Sequence, residues 1–381
     1  MRTRLADVAV RAGVSEATVS RVINEKPGVS PATREKVRAV LDVLGYADRF
    51  LPPTAAGLVG VVVPELSNPV FPGLALAVQT GLAEAGYTPV VCSLVPGGVH
   101  EQDFVRVLLQ QRASGVVFCS GVHANTEADH QPYRQMLERG LPAVFVNGWT
   151  ADVDAPFVST DDAAGVDLAV EHLVGLGHER VGLAVGPPRY VPSLRKVAAF
   201  HDAVRRHLPG VVAPGDVDSL VISTQYRLEG GAAAARALLD RGVTGLVCAS
   251  DVMALGAVRA VRARGLRVPE DVSVVGYDDG PLLDLTDPPL TTVAQDLAAV
   301  GTAAARALLA EMRGEPGVRG ELLLRPRLVV RGSTARAPAA LAAPRPTGTR
   351  AVVRRCDRAR SHLRTTSPPS PPETAHRSDR C

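Results

Sequence analysis

LADVAVRAGVSEATVSRVINEKPGVSPATREKVRAVLDVLGY, residues 5–46, reads as three short helices. Leu5, Val8 and Ala9 recur at helical spacing as far as Ala12, and Gly13 then interrupts the pattern. Ser15 is a good N-cap for a second helix that carries Val19, Val22 and Ile23. A third helix opens at Ser30 and Pro31, a favoured cap and first-turn pair, and runs through Val37, Val40, Leu41 and Leu44 to Gly45. Two helices that cross closely around a tight turn need a small residue at the crossing and a glycine at the turn, and Ala9 and Gly13 fill those places. On these residues alone the segment is either a helix-turn-helix or an ordinary packed pair of helices.

From Gly57 the texture changes to short valine-rich runs separated by amphipathic stretches. The runs at Leu58 to Val63, Thr88 to Cys92, Gly115 to Cys119, Ala143 to Val146, Val181 to Val185, Leu220 to Ile222, Gly245 to Cys248 and Val272 to Val275 are too short for buried helices. Helical stretches such as Gly73 to Ala85, Ala163 to Leu176 and Val252 to Arg264 lie between them. Repeated βα units predict parallel sheets covered on both faces, and this length of pattern predicts two lobes. From Ala335 onward Arg, Pro, Ser and Thr mix without periodicity, and SPPSPPE at Ser367 to Glu373 supports neither helix nor sheet, so a disordered basic tail is expected.

The 381 residues carry a net charge of +3, distributed as +3 over residues 1–50, −7 over 51–335 and +7 over 336–381. Only Lys26, Lys36 and Lys196 are lysines among 42 basic residues, a bias of composition with no functional content. No apolar run approaches the roughly 20 residues of a membrane span, and the charged residues within the first twenty leave no continuous signal-peptide core. A cytoplasmic protein is expected. Cys92, Cys119 and Cys248 each end an apolar run, where burial as free thiols is the simplest reading, and no CxxC pair indicates a metal or redox site.

The first segment closely resembles the DNA-binding headpiece of the lactose-repressor (LacI/GalR) family. DVA, AGVS, TVSRVIN, VS, TREKV and LGY stand in that family's order and spacing. The resemblance implies that the helix after Ser15 is a recognition helix in the major groove. Arg21 can then donate two hydrogen bonds to guanine, Glu16 can accept from cytosine and Ala17 offers a methyl contact. Ser15, Thr18, Ser20 and Asn24 suit phosphate oxygens, which fix register without reading bases. The plain alternatives are a solvated surface arginine at Arg21 and compensation of the helix dipole at Glu16.

The likeness continues through GLVGVVVPELSNPVFPGL (57–74), HLVGLGHERVGLAVGP (172–187), ALGAVRAVRARGLRVPEDVSVVGYDD (254–279), PPLTTVAQD and LRPRLVVRGST, covering roughly residues 1–334. It implies a sensor like the periplasmic sugar-binding proteins: two α/β lobes of doubly wound parallel sheet, three chain crossings and a polar cleft. Ligands at open parallel sheets bind beyond the carboxyl ends of strands, which selects Asn147, Ser250, Asp251 and Asp278. Asp251 starts a helix and is read as its cap, whereas Asp278 is read as a ligand contact. Phe71 is either an apolar wall of the cleft or core. Two departures stand out. Lys196 precedes Phe200 by four residues where the family has arginine, with Arg195 adjacent, and lysine lacks the planar fork. Ser250 stands where the family often has asparagine. Both leave the effector's class, sugar or nucleoside-like, undecided.

An enzyme and an exported solute-binding protein are the rival readings. There is no GxxxxGK[ST], and Gly175-Leu176-Gly177 is followed by His178 and Glu179 without the third glycine of a dinucleotide fingerprint. No nucleophile elbow occurs, and the nine histidines do not cluster at metal spacing, so no cofactor or metal is expected. A solute-binding protein would lack residues 1–46. The expectation is a sequence-specific DNA-binding regulator, foremost a repressor: headpiece 1–46, linker 47–56, effector and dimerisation domain 57–334, tail 335–381. A homodimer on a pseudo-palindromic operator is expected, since one headpiece contacts few base pairs. The linker ADRFLPPTAA is shorter than the family's hinge, and Pro52 and Pro53 disfavour a hinge helix, leaving Leu51 as the apolar residue upstream of them.

Overall fold

The computed structural model describes residues 5–23, 26–43, 57–95, 97–211, 216–315 and 319–339. The linker, Leu51, Asn24 and most of the expected tail lie outside these residues.

Three helices make the headpiece: α1 (Leu5–Ala12), α2 (Glu16–Ile23) and α3 (Pro31–Val43). Val8, Ala9 and Ala12 of α1 bury against Val19 and Val22 of α2 and Val37 and Leu41 of α3. Gly13 takes φ +63°, which lets the chain reverse in one residue. Both later helices start with the same device, in which a serine Oγ accepts the backbone N–H three residues on: Thr18 to Ser15 and Thr33 to Ser30, each at 3.2 Å.

The rest forms two six-stranded sheets with helices on both faces. Lobe 1 contains β1 (Leu58–Val63), α4 (Val70–Glu84), β2 (Thr88–Ser93), α5 (Glu101–Gln110), β3 (Gly115–Cys119), α6 (Gln131–Glu138), β4 (Ala143–Val146) and β5 (Pro156–Thr160). The chain then crosses to lobe 2, with α7 (Asp162–Gly175), β6 (Val181–Val185), α8 (Val191–His207), β7 (Val221–Ser223), α9 (Leu228–Leu239), β8 (Gly245–Cys248), α10 (Asp251–Ala263), β9 (Ser273–Asp278) and β10 (Thr291–Ala294). It returns to lobe 1 for α11 (Leu297–Met312) and β11 (Gly320–Leu324), and crosses a third time to β12 (Arg327–Val329). Strand order is β11-β5-β4-β3-β1-β2 in lobe 1 and β12-β10-β9-β8-β6-β7 in lobe 2, with β12 antiparallel to β10 and every other pair parallel.

Alternation along each strand divides the lobe 1 core in two. Val117 and Cys119 of β3 face α4 and α11 with Val59, Val61 and Val63, whereas Val116 and Phe118 face α5 and α6. On that second face Phe118, Phe145 and Phe157 stand in register on β3, β4 and β5, with successive ring centres 5.2 Å apart. Each fully buried phenylalanine contributes about 1.5–3 kcal/mol by leaving water.

Four strands were not anticipated from apolar runs: β5, β10, β11 and β12. Leu220 belongs to a short helical turn that precedes β7, and β9 extends to Asp278. The expected tail also starts too early at Ala335. The Ala335 amide donates to Ser273 Oγ at 3.0 Å, and the Ala337 amide donates to the Leu176 carbonyl at 2.9 Å, so these residues are tied to lobe 2. Cys92, Cys119 and Cys248 are buried free thiols. Among the described residues no helix is long and apolar enough to cross a membrane.

Candidate DNA-binding surface and ligand cavity

The buried face of α2 is spent on the headpiece core, which leaves the opposite face outward. Ser15, Glu16, Ala17 and Arg21 are exposed, and Thr18 and Ser20 are half-buried. The hydroxyls of Ser15 and Thr18 lie 2.9 Å apart, so each has a local partner in the absence of DNA. Asn24 lies outside the described residues.

The second site is a cavity of about 300 Å³ between the lobes, and all five residues expected to face a ligand line it: Phe71, Asn147, Lys196, Ser250 and Asp278. Phe71 lines the cavity and also packs against the lobe 1 core. Strand ends are bent sharply here. Five non-glycine residues among those described have positive φ, and Ser120 (56°), Asn147 (68°) and Asp278 (118°) line this cavity. Such conformations cost of order 1–3 kcal/mol each and concentrate where a side chain must be aimed. The Asn147 amide donates to Ser120 Oγ at 2.6 Å.

Ser250, not Asp251, caps α10, accepting the Met253 amide at 3.3 Å. Asp251 instead braces the floor beneath: Oδ1 accepts from Thr292 Oγ1 at 2.6 Å and Oδ2 from the Gly280 amide at 2.8 Å. Burial pushes its carboxyl up to about 6, against those hydrogen bonds. Asp278 accepts from Gln295 Nε2 at 2.6 Å, while burial and then the nearby Asp251 charge push its carboxyl well above the usual range. Gln295 in turn accepts from Thr160 Oγ1 at 2.6 Å, joining the end of β5 in lobe 1 to the end of β9 in lobe 2.

Lys196 is buried and its charge is already matched. Its ammonium pairs with Asp162 and lies 4.1 Å from the centre of the Tyr277 ring, and Tyr277 Oη donates to the same Asp162 oxygen at 3.1 Å. Burial works against that charge, but Asp162 and then Tyr226 outweigh it, and the ammonium is held above its ordinary pKa. Tyr190, Tyr226, Thr160 and Gln295 also line the cavity, and Asp162 lies behind it; sequence reasoning passed over all five. Gln295 stood within the quoted PPLTTVAQD, where the strand-end rule would have reached it had β10 been read as a strand.

A helix-turn-helix joined to two parallel-sheet lobes with a polar cavity between them is the architecture of a DNA-binding transcriptional regulator. Residues 4–48 match the bacterial regulatory proteins of the lacI family, and residues 170–334 match the periplasmic binding protein-like domain. The chain belongs to the LacI family. The HTH-type transcriptional regulator MalR of Streptomyces coelicolor is 52% identical over 339 residues, 89% of this chain and 98% of that protein. The repressor CytR of Escherichia coli is 30% identical over 87% of this chain and 96% of its own length. Among solved structures, a complex of the regulator CelR with cellobiose shares 34% identity and a TM-score of 0.64 over 87% of this chain and 100% of that one. The Lac repressor bound to ONPG in the repressed state shares 32% and a TM-score of 0.67 over 88% and 100%.

Proposed function

We propose that this regulator binds a neutral, hydroxylated small molecule of sugar or nucleoside type in the interlobe cavity, and that occupancy sets its affinity for operator DNA. The observation that carries the reading is the convergence of Phe71, Asn147, Lys196, Ser250 and Asp278 on one cavity. Its polar groups suit hydroxyls, and Phe71, Tyr190 and Tyr226 supply flat apolar surface for a ring. The Lys196 charge is occupied by Asp162, which leaves little to attract a phosphorylated ligand. Relatives crystallised with cellobiose and ONPG support the same class. The protein acts in the cytoplasm as a homodimeric repressor on a pseudo-palindromic site, not as a catalyst. Arg21, Glu16 and Ala17 read bases, and Ser15, Thr18, Ser20 and Asn24 hold phosphates. In domain terms, residues 1–46 are the headpiece, 47–56 the linker and 57–337 the sensor.

A thermal-shift screen of the full chain against mono- and disaccharides, nucleosides and their phosphates tests this. A neutral sugar or nucleoside should raise the melting temperature in wild type and not in Asp278→Ala, and should change operator affinity in a fluorescence anisotropy titration. Stabilisation only by phosphorylated compounds, or undiminished stabilisation of Asp278→Ala, would overturn it.

A further inference from the structure

Arg195 and Lys196 are consecutive on α8, yet their side chains leave the helix for different lobes. Lys196 turns onto Asp162 within lobe 2 and lines the cavity. Arg195 reaches Glu321 on β11, in the sheet of lobe 1. Both arms of the guanidinium engage the carboxylate, Nη1 to Oε1 at 2.8 Å and Nη2 to Oε2 at 2.7 Å. Such a fork is strongly directional, so it forms in one relative placement of the two elements. Solvent reaches the pair only in part, with side-chain exposures of 29% and 12%.

The start of the same helix makes the other contact. Thr126 of lobe 1 donates to the Arg189 carbonyl through its amide at 2.8 Å and its hydroxyl at 3.0 Å, and Asn125 forms a β-bridge with Tyr190. Tyr190, Pro192 and Lys196 line the cavity. Within eight residues, positions that face the ligand space alternate with positions that grip lobe 1, so α8 cannot move with respect to one without disturbing the other.

We propose that Arg195 is a positioning residue: through its fork on Glu321 it sets how the two lobes, and hence the two halves of the cavity, are held together. The inference rests on the cavity being the ligand site, since only then does lobe placement govern regulation. The ion pair exists only when β11 and α8 are close, so it favours the closed arrangement, and a ligand bridging the lobes adds to the same preference. Lobe 1 follows directly on the linker from the headpiece, which makes it the lobe whose placement the DNA-binding part feels.

Next to the lobe junction in sequence stands a reporter that is 41% exposed in this arrangement, so that quenching reads any further exposure. Trp149 is the sole tryptophan. It follows Gly148, where an added Cβ would lie 2.8 Å from Ala124 of lobe 1 and 3.8 Å from Val191 at the start of α8. Acrylamide quenching of Trp149 and hydrogen exchange of residues 120–126 and 189–196 are measured on the full chain without ligand. Four proteins are compared: wild type, Arg195→Gln, Glu321→Gln, and the exchanged pair Arg195→Glu with Glu321→Arg. Each single change should lower the closed-to-open ratio about fivefold, seen as faster quenching and faster exchange, and the exchanged pair should return both toward wild type. A lower melting temperature with native quenching and exchange in the single variants, or no recovery in the exchanged pair, overturns the proposal. Because no ligand is used, failure of the cavity as a ligand site shows separately, in Asp278→Ala.

Discussion

Gly165 on α7 sits against the hydroxyl of Tyr277 on β9, so close that a Cβ at position 165 would lie 2.6 Å from Oη and 2.9 Å from Cε2. Tyr277 is fully enclosed and its ring supports the Lys196 ammonium. Gly165→Ala therefore forces the ring aside and loosens the Tyr277–Asp162–Lys196 group together. A loss of about 1–3 kcal/mol is expected in urea unfolding, with a lowered response to any cavity ligand. An unchanged midpoint would show that the ring has room to retreat.

Lys196 and Asp162 balance one another inside lobe 2. Lys196→Ala leaves the Asp162 carboxylate buried without a cation and should cost about 3–5 kcal/mol. Adding Asp162→Asn to Lys196→Met removes both charges while keeping an acceptor for Tyr277 Oη, and should recover most of that loss. Equal stabilities for Lys196→Ala and the neutral double variant would mean that the charges are not coupled.

Acid stability should report on His123. Its ring is fully buried 4.9 Å from Phe145, Nε2 donates to the Val146 carbonyl at 3.2 Å, and Nδ1 has no partner among the described residues. Burial lowers its pKa from 6.5 to about 3. The unfolded chain therefore holds the extra proton between those values. The contribution is complete above pH 6.5 and is lost as pH falls toward 3, with a slope approaching about 1.4 kcal/mol per pH unit. His123→Phe should remove that part of the slope. Parallel urea curves for the two proteins at pH 7, 5.5 and 4.5 would contradict it.

On the headpiece, Arg21→Ala should weaken cognate operator binding by about 1–3 kcal/mol and random DNA little. Anisotropy titrations at fixed salt separate the two. Equal losses on both DNAs would reduce Arg21 to a phosphate contact.

The valine runs that mark β1, β3, β4, β6 and β8 were legible because both faces of those strands are buried. β10 was not. Its Thr291 and Thr292 are wholly buried, but as hydrogen-bonding residues: Thr291 accepts from the Arg331 amide at 2.9 Å, and Thr292 donates to Asp251. Polar residues with distant partners erase the local pattern of a buried strand. β11 and β12 were missed for a different reason: they are the edge strands of their sheets and stay partly exposed, so they resemble surface segments. In the cavity, Asn147, Ser250 and Asp278 were found because each lies at the end of a strand that its own residues announce. Asp162 follows a strand that was not read, and it meets Lys196 across 34 positions of chain. Nothing local to either residue records that pairing.

The three crossings also set the order in which the molecule can be completed. The core beneath α4 needs Val300, Ala304, Ala305 and Leu308, which α11 supplies. A ribosome making about 5–20 residues per second takes roughly 10–40 s to reach α11 after α4 emerges. By the end of that interval every strand of lobe 2 except β12 has been made, while Leu74, Val78 and Leu82 still lack the cover that α11 supplies. The lobe that carries the headpiece thus stays incomplete until α11 and β11 arrive, so a message cut short before α11 yields a finished DNA reader tethered to an open, adhesive half-lobe.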